Sequence, residues 1–276
     1  MKGFPWRVGS VAIAGVFVFT AGCTPAGGPE SGDSGAEVIS ADWSPPPLPE
    51  GSADPSDPGA LLSKAAEFIK SQPQLGIEAM VTFGALQESG QTLHFDVLEW
   101  LAIQRPDKLA WVTLSDNGTV EQGWLLDGQF TLLKQPVNMW GSVRAPGAIP
   151  AAVDRLVDEY DLDVPFEDLL SADLAQRWGG DGQSTLTYVG EEWMQGAWTD
   201  HVAMQRPGVD FEIWIRQGPE PFPAKMMVTL TGQEGAPTWV ARFRTWSTTL
   251  PEGDATFEFT APADAQKVEV APVIRP

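Results

Sequence analysis

The sequence predicts an α+β fold: a curled antiparallel sheet, built as an open half-barrel of about ten or eleven strands, with two or three helices on its concave side. Short segments of alternating apolar and polar residues recur along the chain, and turn pairs such as Asn117-Gly118 and Asp127-Gly128 separate them. Only a few stretches show helical spacing. Antiparallel sheets of this size usually curl. Because the predicted helices are too few to cover the outside of a curled sheet, we expect them to lie in its hollow.

The first 22 residues have the features of a secretory signal peptide. Lys2 and Arg7 accompany an apolar run, Val8–Phe19, shorter than the ~20 residues that a membrane-spanning helix needs. Cys23, the only cysteine, follows small residues and so resembles the cysteine of the bacterial lipobox, which becomes an acylated N-terminus. Thr20 departs from the leucine usual in that motif, and an ordinary signal peptide is the alternative. Acylation would leave no thiol for disulfides or catalysis, and several acyl chains would anchor the protein stably.

Residues 24–57 contain seven acidic and no basic residues among many Pro, Gly and Ser. We therefore expect a disordered acidic tether behind the lipidated Cys23. Thr24 stands where an aspartate retains some lipoproteins at the inner membrane, which favours the outer membrane, facing the periplasm. A single folded domain is expected over residues 58–270, followed by a short tail over residues 271–276.

The composition is acidic, with 37 Asp and Glu against 17 Lys and Arg and a formal net charge of −20. Without Lys2 and Arg7 of the signal peptide, 15 basic residues remain, and the net charge becomes −22. Such a surface repels phosphate backbones and anionic head groups. This excludes nucleic acid as a partner and leaves membrane association to the lipid anchor.

The folded part begins with a predicted amphipathic helix, Pro58–Gln72, which Pro73 ends. A meander of strands follows, joined by turns so short that the strands must pair antiparallel. The predicted strands are Leu75–Leu86, Gln91–Gln104, Lys108–Ser115, Thr119–Asp127 and Gln129–Gln135.

Between Pro150 and Trp178 the spacing becomes helical again, which predicts one helix to Tyr160 and a shorter one after Pro165. Strands then resume, including a hairpin whose turn is Arg206-Pro207-Gly208. Its second arm alternates strictly, whereas its first arm, from Trp193, has large apolar side chains on both faces. The further predicted strands are Ser184–Gly190, Ala224–Gly232, Thr238–Ser247 and Thr256–Thr260.

Four segments carry a family resemblance: WLLDGQFTLL (124–133), IPAAVDRLVDEYDLDVPFEDLL (149–170), DHVAMQRPGVDFEIWI (200–215) and PFPAKMMVTL (221–230). They resemble a family of predicted bacterial periplasmic proteins described as a domain of unknown function. That family is similar to the LolA/LolB lipoprotein-carrier fold, an open antiparallel barrel that holds helices and, in carriers, acyl chains. The resemblance implies this fold over roughly Pro58–Val270 and supplies no catalytic residues. The lipobox and long acidic tether depart from the family pattern.

The two histidines, His94 and His201, are expected to be structural. His201 follows Asp200, but neighbours on a strand point to opposite faces, and zinc requires three or four converging ligands. We expect no metal and no cofactor. No hydrolase or phosphate-binding motif occurs, and the inward positions are expected to supply no polar cluster, so an enzyme is not expected.

Ten of the twelve tryptophans fall within the predicted domain. Four are expected on the strand face opposite the apolar inner set: Trp100, Trp198, Trp214 and Trp246. Such a face could be packed under a loop, bind an envelope protein or a membrane interface, or stack against sugars. An envelope sensor or scaffold that contacts a partner protein through these tryptophans is therefore the alternative function.

The leading hypothesis is a cell-envelope lipoprotein that binds a lipid, an acyl chain or another hydrophobic molecule in the hollow of the half-barrel. Binding would come from the removal of apolar area from water. The candidate ligand-binding residues on the concave face are Ile77, Val81, Phe83, Phe95, Val97, Leu101, Phe211, Ile213, Ile215 and Phe243.

Overall fold

The computed structural model describes residues 44–48, 57–180, 182–253 and 255–273. The chain divides into two compact units, Met1–Pro47 and Leu48–Pro276. Of the first unit, residues 44–47 are described and are exposed, without helix or strand. The signal peptide, Cys23 and most of the tether lie outside the described residues, so the expectations for them stay predictions. Within the described ranges, no helix has the length and apolar character needed to cross a membrane.

The second unit is built on one twelve-stranded sheet. Its strand order is β12-β6-β5-β4-β3-β2-β1-β11-β10-β9-β8-β7, and all neighbours are antiparallel except β12, which runs parallel to β6. The strands are β1 (Gln74–Leu86), β2 (Thr92–Gln104), β3 (Lys108–Ser115), β4 (Val120–Leu126), β5 (Gln129–Lys134), β6 (Met139–Arg144), β7 (Thr185–Met194), β8 (Ala197–Arg206), β9 (Val209–Arg216), β10 (Pro223–Thr229), β11 (Thr238–Ser247) and β12 (Gln266–Lys267).

The predicted fold class, an open curled antiparallel sheet with few helices, is confirmed, with twelve strands instead of ten or eleven. The sixth strand, Met139–Arg144, was not predicted, because the meander was expected to end at Gln135; Pro136 and Asn138 lie at the connection that leads into it. They form a 3-10 turn, Gln135–Val137, and a left-handed residue that return the chain into β6. The predicted strand Thr256–Thr260 is wrong, because that segment is turn and coil in its described residues.

The hairpin at Pro207-Gly208 is confirmed, with Arg206 of β8 opposite Val209 of β9. Its first arm is shorter than predicted. A tight turn at Gln195-Gly196, with φ values of 50° and 80°, separates β7 from β8, so Trp193 belongs to the preceding strand. Two positive φ values in succession are typical of the two-residue turns that match the twist of antiparallel strands.

The described α-helices are α1 (Pro58–Ser71), α2 (Ile149–Tyr160) and α3 (Glu167–Leu170), and a π-helical turn, Gln176–Gly180, follows them with Trp178 buried. The Asp57 side chain caps α1 by accepting a hydrogen bond from the Ala60 amide at 2.9 Å. The helix buries Leu62, Ala65, Ala66 and Ile69. We call the sheet face that the helices cover, on the concave side, the inner face and the opposite one the outer face.

Aromatic side chains join the helices to the inner face. Phe68 of α1 meets Phe222 edge-on, with ring centroids 4.9 Å apart. Phe166, just before α3, packs on Phe243 of β11 at 5.3 Å and on Trp239 at 5.9 Å. Phe243 has no exposed surface. The core therefore lies between the three short helices and the middle of the sheet.

A single glycine makes room for the largest ring of the meander. Trp111 of β3 stacks on Phe130 with centroids 5.2 Å apart, and its ring lies over Gly123 of β4. A β-carbon on Gly123 would lie 2.4 Å from Cζ2 of Trp111. Because close-packed interiors cannot absorb such an overlap, the position requires glycine.

We expect Gly123→Ala to lower the free energy of unfolding by about 2 kcal/mol, the usual cost of overpacking a core. Urea denaturation would measure it. The same substitution in a Trp111→Leu background should cost clearly less, because the clashing ring is gone, and the double-mutant cycle would show this coupling. Equal costs in both backgrounds would contradict the assignment.

Candidate functional site

The structure places the ten candidate residues on the inner face in two groups. Seven are 0–3% exposed and belong to the helix-covered core: Ile77, Val81, Leu101, Phe211, Ile213, Ile215 and Phe243. The other three, Phe83, Phe95 and Val97, are only half-buried. A ligand could reach the second group without displacing a helix. The inner face therefore consists of a buried core and an accessible candidate site. Their role in ligand binding stays a prediction.

The half-buried group belongs to a wider apolar surface, which we call the open patch. It consists of Phe83, Leu93, Phe95, Val97 and Trp239 on the inner face of β1, β2 and β11. Leu93 is 36% exposed, and the rings of Phe83 and Phe95 lie 5.7 Å apart. Phe166 borders the patch through its contact with Trp239. The open patch is thus apolar inner face that the helices leave partly uncovered.

A carboxyl group lies at the base of the open patch. Glu99 of β2 shares the inner face with Val97 and Leu101, and its Oε2 atom is buried without a hydrogen-bond partner in the described structure. Burial, and secondarily the nearby Asp163, raises the pKa of Glu99 to about 8. At neutral pH this group is therefore mainly a neutral carboxylic acid, able to donate a hydrogen bond.

Further charges surround Glu99 on the inner side. Burial raises the pKa of Asp163, in the segment between α2 and α3, and Glu121 raises it further while Lys134 opposes the shift. Lys134 also forms an ion pair with Glu121, with Nζ and Oε1 3.0 Å apart. The expectation that the inward positions supply no polar cluster is therefore wrong. The alternation of β2 itself places Glu99 inward and could have revealed it.

A second polar cluster lies on the inner face under α1. Asp200 of β8 is 3% exposed, and its Oδ1 accepts hydrogen bonds from the Tyr188 hydroxyl and the Gln217 amide, both at 3.0 Å. Burial raises the pKa of Asp200, which these two hydrogen bonds oppose. The Gln217 amide also donates to Glu191 at 2.9 Å, whereas Gln217 Oε1 is buried without a hydrogen-bond partner in the described structure.

His201 points to the outer face, opposite Asp200, as predicted. Its Nδ1 lies 2.9 Å from Glu192 Oε1, and its Nε2 lies 2.9 Å from Glu212 Oε2. The ring stacks on Trp214 at 4.0 Å, and Lys225 covers the Trp214 ring at 3.7 Å. No group of three or more potential metal ligands converges among the described residues. The His201 ring is thus held by two carboxylates and a stacked indole, and its structural role stays a prediction; His94 is exposed.

The expected outer position of the tryptophans is confirmed for Trp100 and Trp214. It is wrong for Trp198, which shares the inner face of β8 with Asp200 and packs edge-on against Trp193, with centroids 5.7 Å apart. The register of β8 with β9 determines the face on which Trp198 lies. The sequence alone could not determine it, because the first arm is apolar on both faces.

Trp246 is also on the inner face, because the pairing of β1 with β11 shifts by one residue between Glu78 and Ala79. This β-bulge reverses the alternation of β11 beyond that point. Trp246 lies opposite Ile77, stacks on Phe222 at 4.6 Å and donates from Nε1 to the Pro223 carbonyl at 2.8 Å. Its side chain thus contributes to the core.

With this geometry established, comparison with known proteins gives the family. Residues 59–271 match the model of a family described as predicted periplasmic protein (DUF2092). The chain belongs to the DUF2092 family. The resemblance found in the sequence is thereby confirmed. No curated protein matches the sequence.

Several solved structures are similar to this DUF2092 protein at low identity. The Mycobacterium tuberculosis lipoprotein LppX is 13% identical, with a TM-score of 0.41, and the match covers 72% of this chain and 99% of that one. A LolA superfamily protein from Nitrosomonas europaea is 8% identical, with a TM-score of 0.35 and coverage of 75% and 99%. A DUF1329 family protein from Desulfovibrio piger is 13% identical, with a TM-score of 0.33 and coverage of 75% and 98%.

The raised pKa of Glu99 makes stability depend on pH. The folded state holds a proton up to about pH 8, whereas the unfolded chain releases it near pH 4.5, so stability falls as pH rises between these values. We expect Glu99→Gln, which stays neutral, to be more stable than wild type by about 3 kcal/mol at pH 7 and to lose this advantage by pH 4.

Urea denaturation of both proteins between pH 4 and 9 would measure this difference. Glu88→Gln, in the exposed turn between β1 and β2, is the matched control and should follow wild type at every pH. Parallel curves for wild type and Glu99→Gln would contradict a buried neutral acid.

Proposed function

We propose that this protein is a cell-envelope lipoprotein whose folded unit binds a lipid, an acyl chain or another hydrophobic molecule on the concave face of its sheet. The open patch carries this proposal. Five large apolar side chains on the inner face remain partly exposed there, although Val81, Leu101 and Ala241 further along the same strands are buried. Exposed apolar surface grouped in this way typically marks a binding site.

The energetics favour an apolar ligand at the open patch. Removing about 200 Å² of apolar surface from water there would contribute about 5 kcal/mol at ~25 cal/mol per Å². The neutral Glu99 acid at the base adds one polar group that could donate to a ligand oxygen. Pockets that combine apolar walls with few polar groups are typical of small-molecule sites. The proposal includes binding without a catalytic step.

The anchor completes the proposal. Acylated Cys23 would hold the protein at the membrane, the acidic tether of residues 24–57 would separate the folded unit from it, and Thr24 favours the outer membrane. A permanent anchor supports local receipt or storage of the ligand rather than free transport through the periplasm. The repulsion between the acidic chain and anionic head groups keeps the attachment at the acyl chains.

We expect hydrophobic molecules to co-purify with the wild-type protein and to be lost when a charge enters the open patch. Leu93→Asp should reduce the ligand recovered by solvent extraction and native mass spectrometry at least tenfold, because an ionised carboxylate would have to be desolvated. Val189→Asp is the control, since Val189 is 52% exposed on β7, away from the patch.

Equal ligand recovery from both variants would place binding elsewhere. The absence of any hydrophobic ligand on the wild-type protein, even after incubation with lipid vesicles, would overturn the proposal. Unfolding midpoints would confirm that both variants fold.

The anchor has its own test. We expect the wild-type protein to be cleaved between Gly22 and Cys23 and to carry the mass of acyl chains on Cys23. Cys23→Ala should abolish both, because lipobox processing requires the cysteine, whereas an ordinary signal peptide would still be cleaved. Intact-mass spectrometry of the two proteins distinguishes these outcomes, and cleavage of Cys23→Ala would exclude the lipoprotein assignment.

A further inference from the structure

A pocket of about 460 Å³ opens on the outer face and is lined mostly by outer-face residues, together with Ile77, Leu101 and Trp111 of the inner set; no residue of the open patch lines it. We call it the outer pocket. Its floor is a row of small residues that runs across neighbouring strands, with Ser247 beside Gly76, Gly76 beside Ala102, and Ala102 beside Ala110. Because none of these side chains is larger than a hydroxymethyl group, the sheet surface is recessed there.

Large side chains form the walls of the outer pocket. Trp124 of β4 follows Ala110 at the end of the small-residue row, and Trp100 of β2 lies in the next row, beside Val112. Thr256, from the segment after β11, borders the pocket on another side. A recess bounded by two indole rings is a site for flat, apolar groups.

One of the two tryptophans, Trp124, already packs against an aromatic ring of the chain itself. Phe259, from the same C-terminal segment as Thr256, lies between Trp124 and Trp140, with each pair of ring centroids 5.0 Å apart. The backbone of this segment is fixed to β6, since the Val268 amide donates to the Trp140 carbonyl at 2.8 Å. The segment thus covers Trp140 and one side of Trp124. The outer pocket lies next to this contact, on the Trp124 side.

The charges at the outer pocket are already paired. Glu78, the one ionisable residue among the described residues that line it, binds Arg244, with Oε1 and Nη1 3.0 Å apart. Gln122 accepts a hydrogen bond from the Gln135 amide at 3.2 Å. An ionic ligand would therefore lose its hydration without gaining a free counter-charge.

We propose that the outer pocket is a second binding site, for an uncharged, compact apolar molecule with a flat ring-containing part that packs between Trp100 and Trp124. The volume suits a small ligand, within the 300–1,000 Å³ typical of such sites. The ring of Phe259 against Trp124 is the model for the contact. The site does not depend on the proposed function, because the two surfaces lie on opposite faces of the sheet.

Benzophenone is a suitable probe, since it is neutral, contains two rings and crosslinks to nearby C–H groups under light. The full-length protein would be irradiated with benzophenone, and the adducts assigned to single residues by mass spectrometry. We expect saturable labelling at outer-face positions, above all Trp100, Val112 and Trp124. Labelling at Phe83, Phe95 or Val97, which do not line the outer pocket, would report the inner face instead, so the labelled residues distinguish the two sites.

Ala102→Phe should fill the outer pocket and reduce its labelling at least tenfold while leaving inner-face labelling unchanged. Ala203→Phe is the matched control, because Ala203 lies on the outer face of β8, outside the pocket. Should Ala102→Phe fail to fold, Ala110→Leu provides the same test with a smaller side chain. The proposal would be overturned if labelling were confined to the inner face. It would also be overturned if labelling of the outer face did not saturate and was unchanged in both filling variants.

Discussion

The pairing of β1 with β2 on one side and β11 on the other is the interaction on which the folded unit depends. All of β1 is paired with β2, from Gln74 opposite Gln104 to Leu86 opposite Thr92. β11 joins it although 151 residues of sequence lie between the two strands. This long-range contact brings the meander β2–β6 and the second run β7–β10 into one sheet. It also creates an inner face for which the described residues supply three α-helices and one π-helical turn as cover.

The limited cover explains why the inner face is divided. Toward one end of β1 and β2, residues such as Ile77 and Leu101 are excluded from water, because the helices and Phe166 pack over the centre of the sheet. Toward the β1–β2 turn the same alternation continues through Phe83 and Leu93, but the cover ends. Glu99 lies at the transition, which accounts for its raised pKa beside apolar side chains.

The sequence predicted the strands correctly wherever a strand keeps its alternation of apolar and polar residues and its turn has the usual turn residues. It predicted β3 and β11 with their observed bounds, the hairpin at Gly208 and the apolar character of the inner face. It failed where one residue changes the pattern: the bulge opposite Ala79 turns Trp246 inward, and the turn at Gln195 removes Trp193 from β8. Neither the bulge nor the pairing partners of a strand can be determined from local composition.

The outer face differs between the two halves of the sheet for a related reason. Across β7–β10 the His201 network, with Glu192, Glu212 and Lys225 around Trp214, fills the surface with satisfied polar contacts. Across β1–β4 the small residues Gly76 and Ala102 leave a recess that no single sequence window would have revealed, because they come from strands paired only in the fold.

The two-residue strand β12 has a consequence for how the protein behaves among copies of itself. An uncovered edge strand offers free backbone groups to any other chain, and such edges lead to aggregation. By lying along β6 through Gln266 and Lys267, the C-terminal segment occupies that edge, and the other edge strand, β7, is interrupted by an irregularity near Gly190. Both edges of the described sheet are thereby less open to pairing with a strand of another copy.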